Sequence, residues 1–318
     1  MRYGIGFFAV CLVLACGGTG KDAGGIPATF PIKLGTFTQL RQHGVTDLFV
    51  HSPWEPEQYS QLTFPEHCWG LNLPNTSHDS DTAVASRWVI SPDSSRAVFE
   101  NRPREGVVYR SLAQVDSMAV RLKIEIENHS ELPVNNIRAL VCFKPDNTVG
   151  NPGRPDCMLA FRDTTHELVW FRSGGRNIQL HEQTTYHGDY PPNVDETNLR
   201  NKIVWGVNIE GYPDVRSIED VGWWFMDNHP GRVVEERADP ALIAIHARGD
   251  TTRWIGLIWD PPRNLMANPV NPCFHSDPSF PDCPPGGTTG AQGILLFHDG
   301  TFDRLVERAL AWKAALPR

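Results

Sequence analysis

Alternation of hydrophobic and polar residues is the main pattern along the central part of the chain. The clearest case runs from Met118 to Glu127, where five apolar residues alternate with Ala119 and four charged residues. A period of two places the apolar side chains on one face of a strand and the charged side chains on the other. The segment therefore predicts a half-buried antiparallel strand, and the turn residues at 128–136 lead to a returning strand at 137–143.

Shorter runs of apolar and β-branched residues predict further strands, separated by turns rich in Gly, Pro, Asn and Asp. They are 83–90, 97–100, 107–112, 167–171, 203–209, 241–247, 254–259 and 293–297. One helix is predicted at the end of the chain, where Thr301 can cap the start and Asp303 lies in the first turn. Its apolar stripe consists of Phe302, Leu305, Val306, Ala309, Leu310 and Leu316.

The order of these elements predicts an all-β fold, a large antiparallel β-sandwich or supersandwich with one C-terminal amphipathic helix. Strands do not alternate with helices, which argues against a doubly wound parallel sheet. The 27 glycines, 26 prolines and 10 tryptophans among 318 residues also favour a β-rich, loop-rich protein. We expect one domain over residues 30–318. The net charge of −8 argues against a nucleic-acid partner, because no basic surface is concentrated enough to bind phosphates.

The N-terminus indicates export. Arg2 precedes ten apolar residues at 5–14, which is the length of a signal-peptide core and too short to span a bilayer. The following residues 13–16, Val-Leu-Ala-Cys, resemble the lipobox of bacterial lipoproteins. That resemblance implies cleavage after residue 15, lipidation of Cys16 and a cell-envelope location, with residues 16–29 as a flexible tether. An ordinary secretory signal is the alternative.

Cysteines suggest a candidate disulfide in an oxidising compartment. Cys273 and Cys283 flank a predicted loop rich in Pro and Asp, and a bridge between them would rigidify it. Cys142 and Cys157 form the next candidate pair. The spacing alone establishes neither bridge, and the odd number of cysteines after Cys16 leaves at least one without a partner among them.

The hairpin at 118–134 is similar to one found in galactose-mutarotase-like supersandwiches, and immunoglobulin-like modules contain it as well. Its amphipathic strand ends in Asn128, and a polar pair and Pro133 come before the next strand. The mutarotase-like resemblance implies a protein that acts on or binds sugars, although it identifies no catalytic residue here. The block at 254–297 also resembles segments of uncharacterised secreted bacterial β-sandwich proteins.

Several side chains suit a carbohydrate site, because indole rings stack on sugar faces and polar groups bind the hydroxyls. The candidate binding residues are Trp69, Trp205, Trp223, Trp224 and Arg104. Core packing is the alternative for each tryptophan, and surface ion pairing is the alternative for the arginine. Glu235 and Glu236 follow an aromatic segment, and two carboxylates from different strands could serve a glycosidase; a solvated charged edge is the alternative.

Histidines and a carboxylate supply the candidate catalytic residues, which are His181, His187, His275 and Asp277. His275 and Asp277 are two residues apart, so they share one side of an extended segment. They can act as an acid–base pair, and structural hydrogen bonding is the alternative. We expect no cofactor, although these histidine and carboxylate side chains could bind a divalent metal.

The sequence thus predicts an envelope-anchored lipoprotein that acts on or binds carbohydrate, the reaction on a concave β-face being glycan hydrolysis, elimination or epimerisation. Two alternatives stay open, a non-catalytic glycan-binding lipoprotein and a structural envelope lipoprotein. Convergence of a histidine and a carboxylate in a cleft beside a tryptophan would favour an enzyme. Exposed tryptophans without such convergence would favour a binding module.

Overall fold

The protein is an all-β sandwich of two large sheets with one C-terminal helix, as predicted. The computed structural model describes residues 32–35, 47–71, 88–145, 158–180, 204–215, 231–269 and 272–317. Its strands are β1 (Leu34–Gly35), β2 (Asp47–His51), β3 (Tyr59–Trp69), β4 (Val89–Ile90), β5 (Arg96–Arg104), β6 (Val107–Val115), β7 (Ala119–Asn128), β8 (Arg138–Lys144), β9 (Val169–Ser173), β10 (Arg176–Gln179), β11 (Val204–Ile209), β12 (Gly231–Ala238), β13 (Leu242–Ala247), β14 (Asp250–Asp260), β15 (Pro262–Asn268), β16 (Cys273–Pro278) and β17 (Thr288–Asp299).

The strand order makes both sheets strongly non-local. The eight-stranded sheet has the order β1-β2-β3-β8-β16-β15-β11-β12, and the nine-stranded sheet has the order β10-β9-β13-β14-β17-β7-β6-β5-β4. Neighbouring strands pair antiparallel with one exception among the described residues, the parallel pair β11 and β12. Strands far apart in sequence, such as β8 and β16, therefore become direct neighbours.

The core lies between the two sheets. In β7 the predicted alternation is confirmed: Val120, Leu122, Ile124 and Ile126 are buried and pack in the core. The facing sheet contributes Phe143 from β8 and Phe274 from β16, whose ring centroids are 5.3 Å apart. Because side chains alternate along a strand, the residues on either side of these two phenylalanines occupy the opposite, outer face of the eight-stranded sheet.

The helix α1 (Phe302–Ala314) covers the outer face of the nine-stranded sheet. Thr301 caps it, as predicted, by accepting a hydrogen bond from the Arg304 backbone N–H. Leu305 and Trp312 are buried against the sheet, but Leu310 is 45% exposed, so the predicted stripe is wrong at that residue. Within the described part of the chain, no helix combines the length and hydrophobicity that crossing a membrane requires.

The segment around the predicted Cys273–Cys283 bridge is built differently from the expectation. Residues 273–278 form strand β16 and pair with β15 and β8. Cys273 and Cys283 are free thiols, so the predicted disulfide is wrong. The Cys273 side chain lies 3.5 Å from His275, whereas the Cys283 thiol donates to the Ile126 carbonyl. Cys142 is also free, and its suggested partner Cys157 lies outside the described residues.

Candidate functional site

A cluster of polar side chains crosses the outer face of the eight-stranded sheet at its centre. We call Glu66, Cys142, Cys273 and His275 the thiol–histidine cluster. They come from the adjacent strands β3, β8 and β16. Cys142 is directly opposite His275 in the β8–β16 register, and Cys273 is two residues before His275 on the same face. The pairing of distant strands thus assembles the cluster.

The reactive atoms of the cluster lie close together. The His275 Nε2 atom is 3.5 Å from the Cys273 sulfur and 3.8 Å from Glu66 Oε2. Ligand-type atoms of Cys142, Cys273 and His275 all lie within 4.8 Å of one another. Cys142 and His275 are fully buried. The cluster is therefore a compact group of two thiols, an imidazole and a carboxylate.

Asp277 holds the other side of the imidazole. Its Oδ1 atom lies 3.6 Å from His275 Nδ1 and accepts a hydrogen bond from the Val141 backbone N–H at 2.9 Å. Its Oδ2 atom accepts a hydrogen bond from the Asn264 amide, also at 2.9 Å. These two donors fix the carboxylate, which in turn directs Nδ1 of His275 toward Asp277 and Nε2 toward the thiols.

The cluster carries charges of both signs. Burial raises the pKa of Glu66, but Lys144 and His275 outweigh it and hold that pKa below the ordinary value. Burial lowers the pKa of His275, yet the neighbouring Cys142 and Asp277 raise it above the ordinary value. Burial also raises the pKa of the Cys142 thiol well above the ordinary value. The carboxylate of Glu66 is therefore ionised, whereas the thiol of Cys142 is protonated.

Among the predicted catalytic residues, the structure brings His275 and Asp277 together on β16. Both side chains are fully buried, so neither is open to solvent. Their catalytic role stays a prediction. His181 and His187 lie outside the described residues.

The two predicted binding residues whose side chains the structure describes, Trp205 and Arg104, do not meet. Trp205 is 3% exposed and packs in the core, so the expectation that its ring faces a sugar is wrong. Arg104 lies in the other sheet and donates to the Pro133 carbonyl. The backbone of Trp69 belongs to β3, but the structure does not describe its side chain. Trp223, Trp224 and the proposed lipid site Cys16 lie outside the described residues.

Sequence reasoning missed Glu66 and Lys144 and assigned Cys142 to a loop disulfide. The alternation of Val141 and Phe143 with Cys142 is a local signal that places the thiol on the non-core face. No local signal shows that β8 pairs with β16. The cluster therefore depends on the strand order, which brings these residues together.

An open groove lies where one edge of the eight-stranded sheet meets an edge of the nine-stranded sheet. The Asp239 backbone N–H donates to the Arg172 carbonyl of β9 and joins these edges. The groove has a volume of about 470 Å³, and we call it the charged groove. Its lining residues are Ser173, Gly174, Arg176, Glu210, Glu235, Glu236, Arg237 and Asp239.

Arg237 is firmly positioned in the charged groove. Its guanidinium lies 3.2 Å from Glu210 and 2.6 Å from Asp214, and it also donates to the Ile209 and Tyr212 carbonyls. Interaction with Asp214 raises the pKa of Arg237 above its ordinary value. The groove thus presents carboxylate acceptors beside a fixed guanidinium donor, in a place that solvent reaches.

Comparisons with known proteins give distant structural likenesses. Neither a family model nor a curated protein sequence matches the chain. A galactose mutarotase-like protein from Clostridium acetobutylicum aligns over 85% of this chain and 100% of its own, with 9% identity and a TM-score of 0.38. A polysaccharide lyase aligns over 86% of this chain but only 33% of its own length, with 10% identity and a TM-score of 0.34. Both likenesses are distant.

Proposed function

We propose that the protein binds or processes carbohydrate at the cell envelope and that the glycan lies in the charged groove. The observation that carries the proposal is the open groove, which combines carboxylates and guanidinium groups from the edges of two sheets. Sugar hydroxyls donate to carboxylates and accept from guanidinium groups, so such a lining suits a polyhydroxy ligand. The hairpin resemblance at 118–134 supports the same ligand class.

The charge of the groove limits the kind of glycan. Its lining contains four carboxylate residues and two arginines, so it repels uronates and sulfates. Arg102 and Arg110 do not offer a second site for acidic glycans, because carboxylates already neutralise them. Glu100 and Glu127 neutralise Arg110, and Glu100 also neutralises Arg102. We therefore expect neutral glycans to bind better than acidic ones.

Both a binding module and an enzyme can use this groove. Glu235 and Glu236 supply carboxyl groups that can act as acid and base in glycoside hydrolysis. A non-catalytic protein would use the same groups only as hydrogen-bond acceptors.

A glycan screen with matched variants tests the proposal. The full chain in detergent is run in affinity gels against neutral and uronate-rich polysaccharides, and reducing-end release is assayed in parallel. We expect retardation by a neutral polysaccharide and its loss in the double variant Glu235→Gln/Glu236→Gln. Glu105→Gln is the control, because Glu105 is exposed in the β5–β6 turn at the other edge of the nine-stranded sheet.

The outcomes separate the alternatives. Retardation with sugar release identifies an enzyme, and retardation without release identifies a binding protein. Absence of any response to all the glycans, or equal binding by the double variant and the wild type, overturns the proposal.

Anchoring through Cys16 is proposed from the lipobox resemblance. The test is metabolic labelling with an alkyne fatty acid, followed by detection of the label on the protein. We expect the wild type to be labelled and Cys16→Ser to be unlabelled. Equal labelling of both proteins, or of neither, contradicts the anchor.

A further inference from the structure

The thiol–histidine cluster has the composition and spacing of a metal site. Its four residues offer two sulfur atoms, one imidazole nitrogen and one carboxylate oxygen. Zinc binds this combination of ligands tetrahedrally, with bonds of about 2.3 Å to sulfur and about 2.0 Å to nitrogen. Hard cations such as Mg²⁺ and Ca²⁺ prefer sites made only of oxygen atoms. The ligand set therefore selects a zinc-type cation.

We propose that Cys142, Cys273, His275 and Glu66 bind one zinc-type divalent cation on the outer face of the eight-stranded sheet. The inference does not depend on the carbohydrate proposal, because it concerns a different part of the molecule. The cation would join the three neighbouring strands β3, β8 and β16.

The observed distances fit such a centre closely. Tetrahedral bond lengths place sulfur and nitrogen ligands about 3.5 Å apart and two sulfurs about 3.8 Å apart. The Cys273 sulfur and His275 Nε2 are 3.5 Å apart. The ligand atoms of Cys142, Cys273 and His275 lie within 4.8 Å of one another, so any pair needs a side-chain shift of only about 1 Å.

The imidazole is already turned in the required way. Nε2 of His275 points to Cys273 and Glu66, whereas Nδ1 lies 3.6 Å from Asp277. Metal-bound histidines commonly direct their second nitrogen to a carboxylate, which fixes the tautomer and the ring orientation. Asp277 is itself held by Val141 and Asn264. It is therefore a positioning residue for the metal ligand.

Binding a cation changes both the charge and the proton count of the cluster. Metal binding requires both thiols as thiolates and His275 as the neutral imidazole, so it releases the two thiol protons and the Nε2 proton of the imidazolium to the solvent. Two thiolates and the Glu66 carboxylate together carry three negative charges, and the cation carries two positive charges. Lys144, which interacts electrostatically with Glu66, Cys142 and Cys273, compensates the remaining negative charge of the ligand set, and hydrogen bonds from Val141 and Asn264 stabilise the Asp277 carboxylate. Such compensation is what a buried centre requires.

A disulfide between Cys142 and Cys273 fits the register poorly. Cys142 is opposite His275, so Cys273 is its diagonal neighbour across the strand pair. Diagonal neighbours are about 7–8 Å apart between Cα atoms. A disulfide requires Cβ atoms only about 3.5–4.5 Å apart. Both cysteines are free in the structure.

Metal analysis after refolding tests the site. Because Cys142 and His275 are fully buried, the full chain is unfolded with chelator and refolded with Zn²⁺ or Co²⁺ alone. We expect a single tightly held zinc per chain and, with cobalt, a thiolate-to-metal charge-transfer band. Cys142→Ser, Cys273→Ser and His275→Gln should each lose the bound zinc. Asp277→Asn should weaken the affinity by about 10–100-fold, the usual effect of losing such a carboxylate.

Cys283→Ser is the matched control, because Cys283 is a free thiol outside the cluster, and it should keep the zinc. The cobalt spectrum of the wild type needs no variant, so the test stands even if a substituted chain does not fold. Three results overturn the proposal: wild type without bound metal, zinc retained by both cysteine variants, or a mass that shows a Cys142–Cys273 disulfide. None of these readouts uses a glycan, so the metal site and the carbohydrate proposal fail independently.

Discussion

Gly293 shows how a single missing side chain allows the core to close. It is opposite Trp259 in the β14–β17 pair, and a Cβ atom at this position would lie 2.6 Å from the indole. Trp259 is fully buried and cannot move aside. We expect Gly293→Ala to lower the free energy of unfolding by about 1–3 kcal/mol, the usual cost of overpacking, measured by urea denaturation. Gly35→Ala is the control, because its Cβ would find only ordinary contacts at 3.8 Å. Equal stability of both variants contradicts this account.

His298 makes stability depend on pH. Burial and the nearby Arg308 guanidinium lower its pKa below the ordinary value, although Asp299 acts in the opposite direction. The unfolded chain therefore binds more protons once the pH falls through the ordinary histidine range of about 6.5. We expect this contribution of His298 to decrease stability from about pH 7 to about pH 5, so that the change over this range is less unfavourable in His298→Gln than in the wild type. Urea midpoints across this range, with His129→Gln as a surface control, measure the difference. Identical slopes for His298→Gln and wild type would disprove it.

The individual residues of the candidate metal site were only partly predictable. His275 and Asp277 were predicted as a pair because residues two positions apart in an extended segment lie on the same side. Glu66 and Cys142 join them from other strands, and the chain positions of those strands do not reveal the pairing. Trp205 shows the reverse case, since a tryptophan beside a glycine looked available but is a core residue. Residue type suggested the chemistry, whereas tertiary pairing determined which residues meet.

At the scale of elements, prediction succeeded where periodicity was uninterrupted. Strand β7 and helix α1 follow their periods of two and about 3.6 residues closely. Strand β3 was not predicted, because polar residues and Pro65 break its pattern. Strand β16 was read as a loop because Pro, Ser and Asp are typical of turns. In β3 and β16, polar residues occupy a buried outer face, so the usual separation of apolar and polar faces does not apply.

Helix α1 provides a matched test of burial. Leu305 is fully buried against the nine-stranded sheet, and Gly256 leaves room for it, whereas Leu310 on the same helix is 45% exposed. We expect Leu305→Ala to cost about 2–5 kcal/mol of unfolding free energy, because it removes buried methyl groups and leaves a cavity. Leu310→Ala should change it by no more than about 0.5 kcal/mol. Chemical denaturation of the two variants measures both effects. A similar cost for both would show that the helix packs with another face.

At the scale of the whole molecule, the two sheets have unlike outer faces. Helix α1 covers one with apolar side chains, and the other carries buried polar groups around His275. The all-β class and the final helix were predictable, because both depend on local periodicity. The strand order and the parallel β11–β12 pair were not, because they depend on contacts between distant parts of the chain. The location of the charged groove depends on the same contacts.

The described thiols imply that packing and not cross-linking stabilises this part of the molecule. Cys68, Cys142, Cys273 and Cys283 are all buried thiols that form no disulfide with one another. A disulfide among them would contribute about 2–4 kcal/mol, so its reduction would lower the melting temperature by several degrees. We therefore expect the phosphine reductant TCEP to leave the melting temperature unchanged. Alkylation in denaturant without prior reduction should label all four cysteines, as detected by mass spectrometry of the peptides. Recovery of any of the four in a disulfide-linked peptide would contradict this account, and a disulfide at Cys142 or Cys273 would also remove a ligand of the proposed metal site.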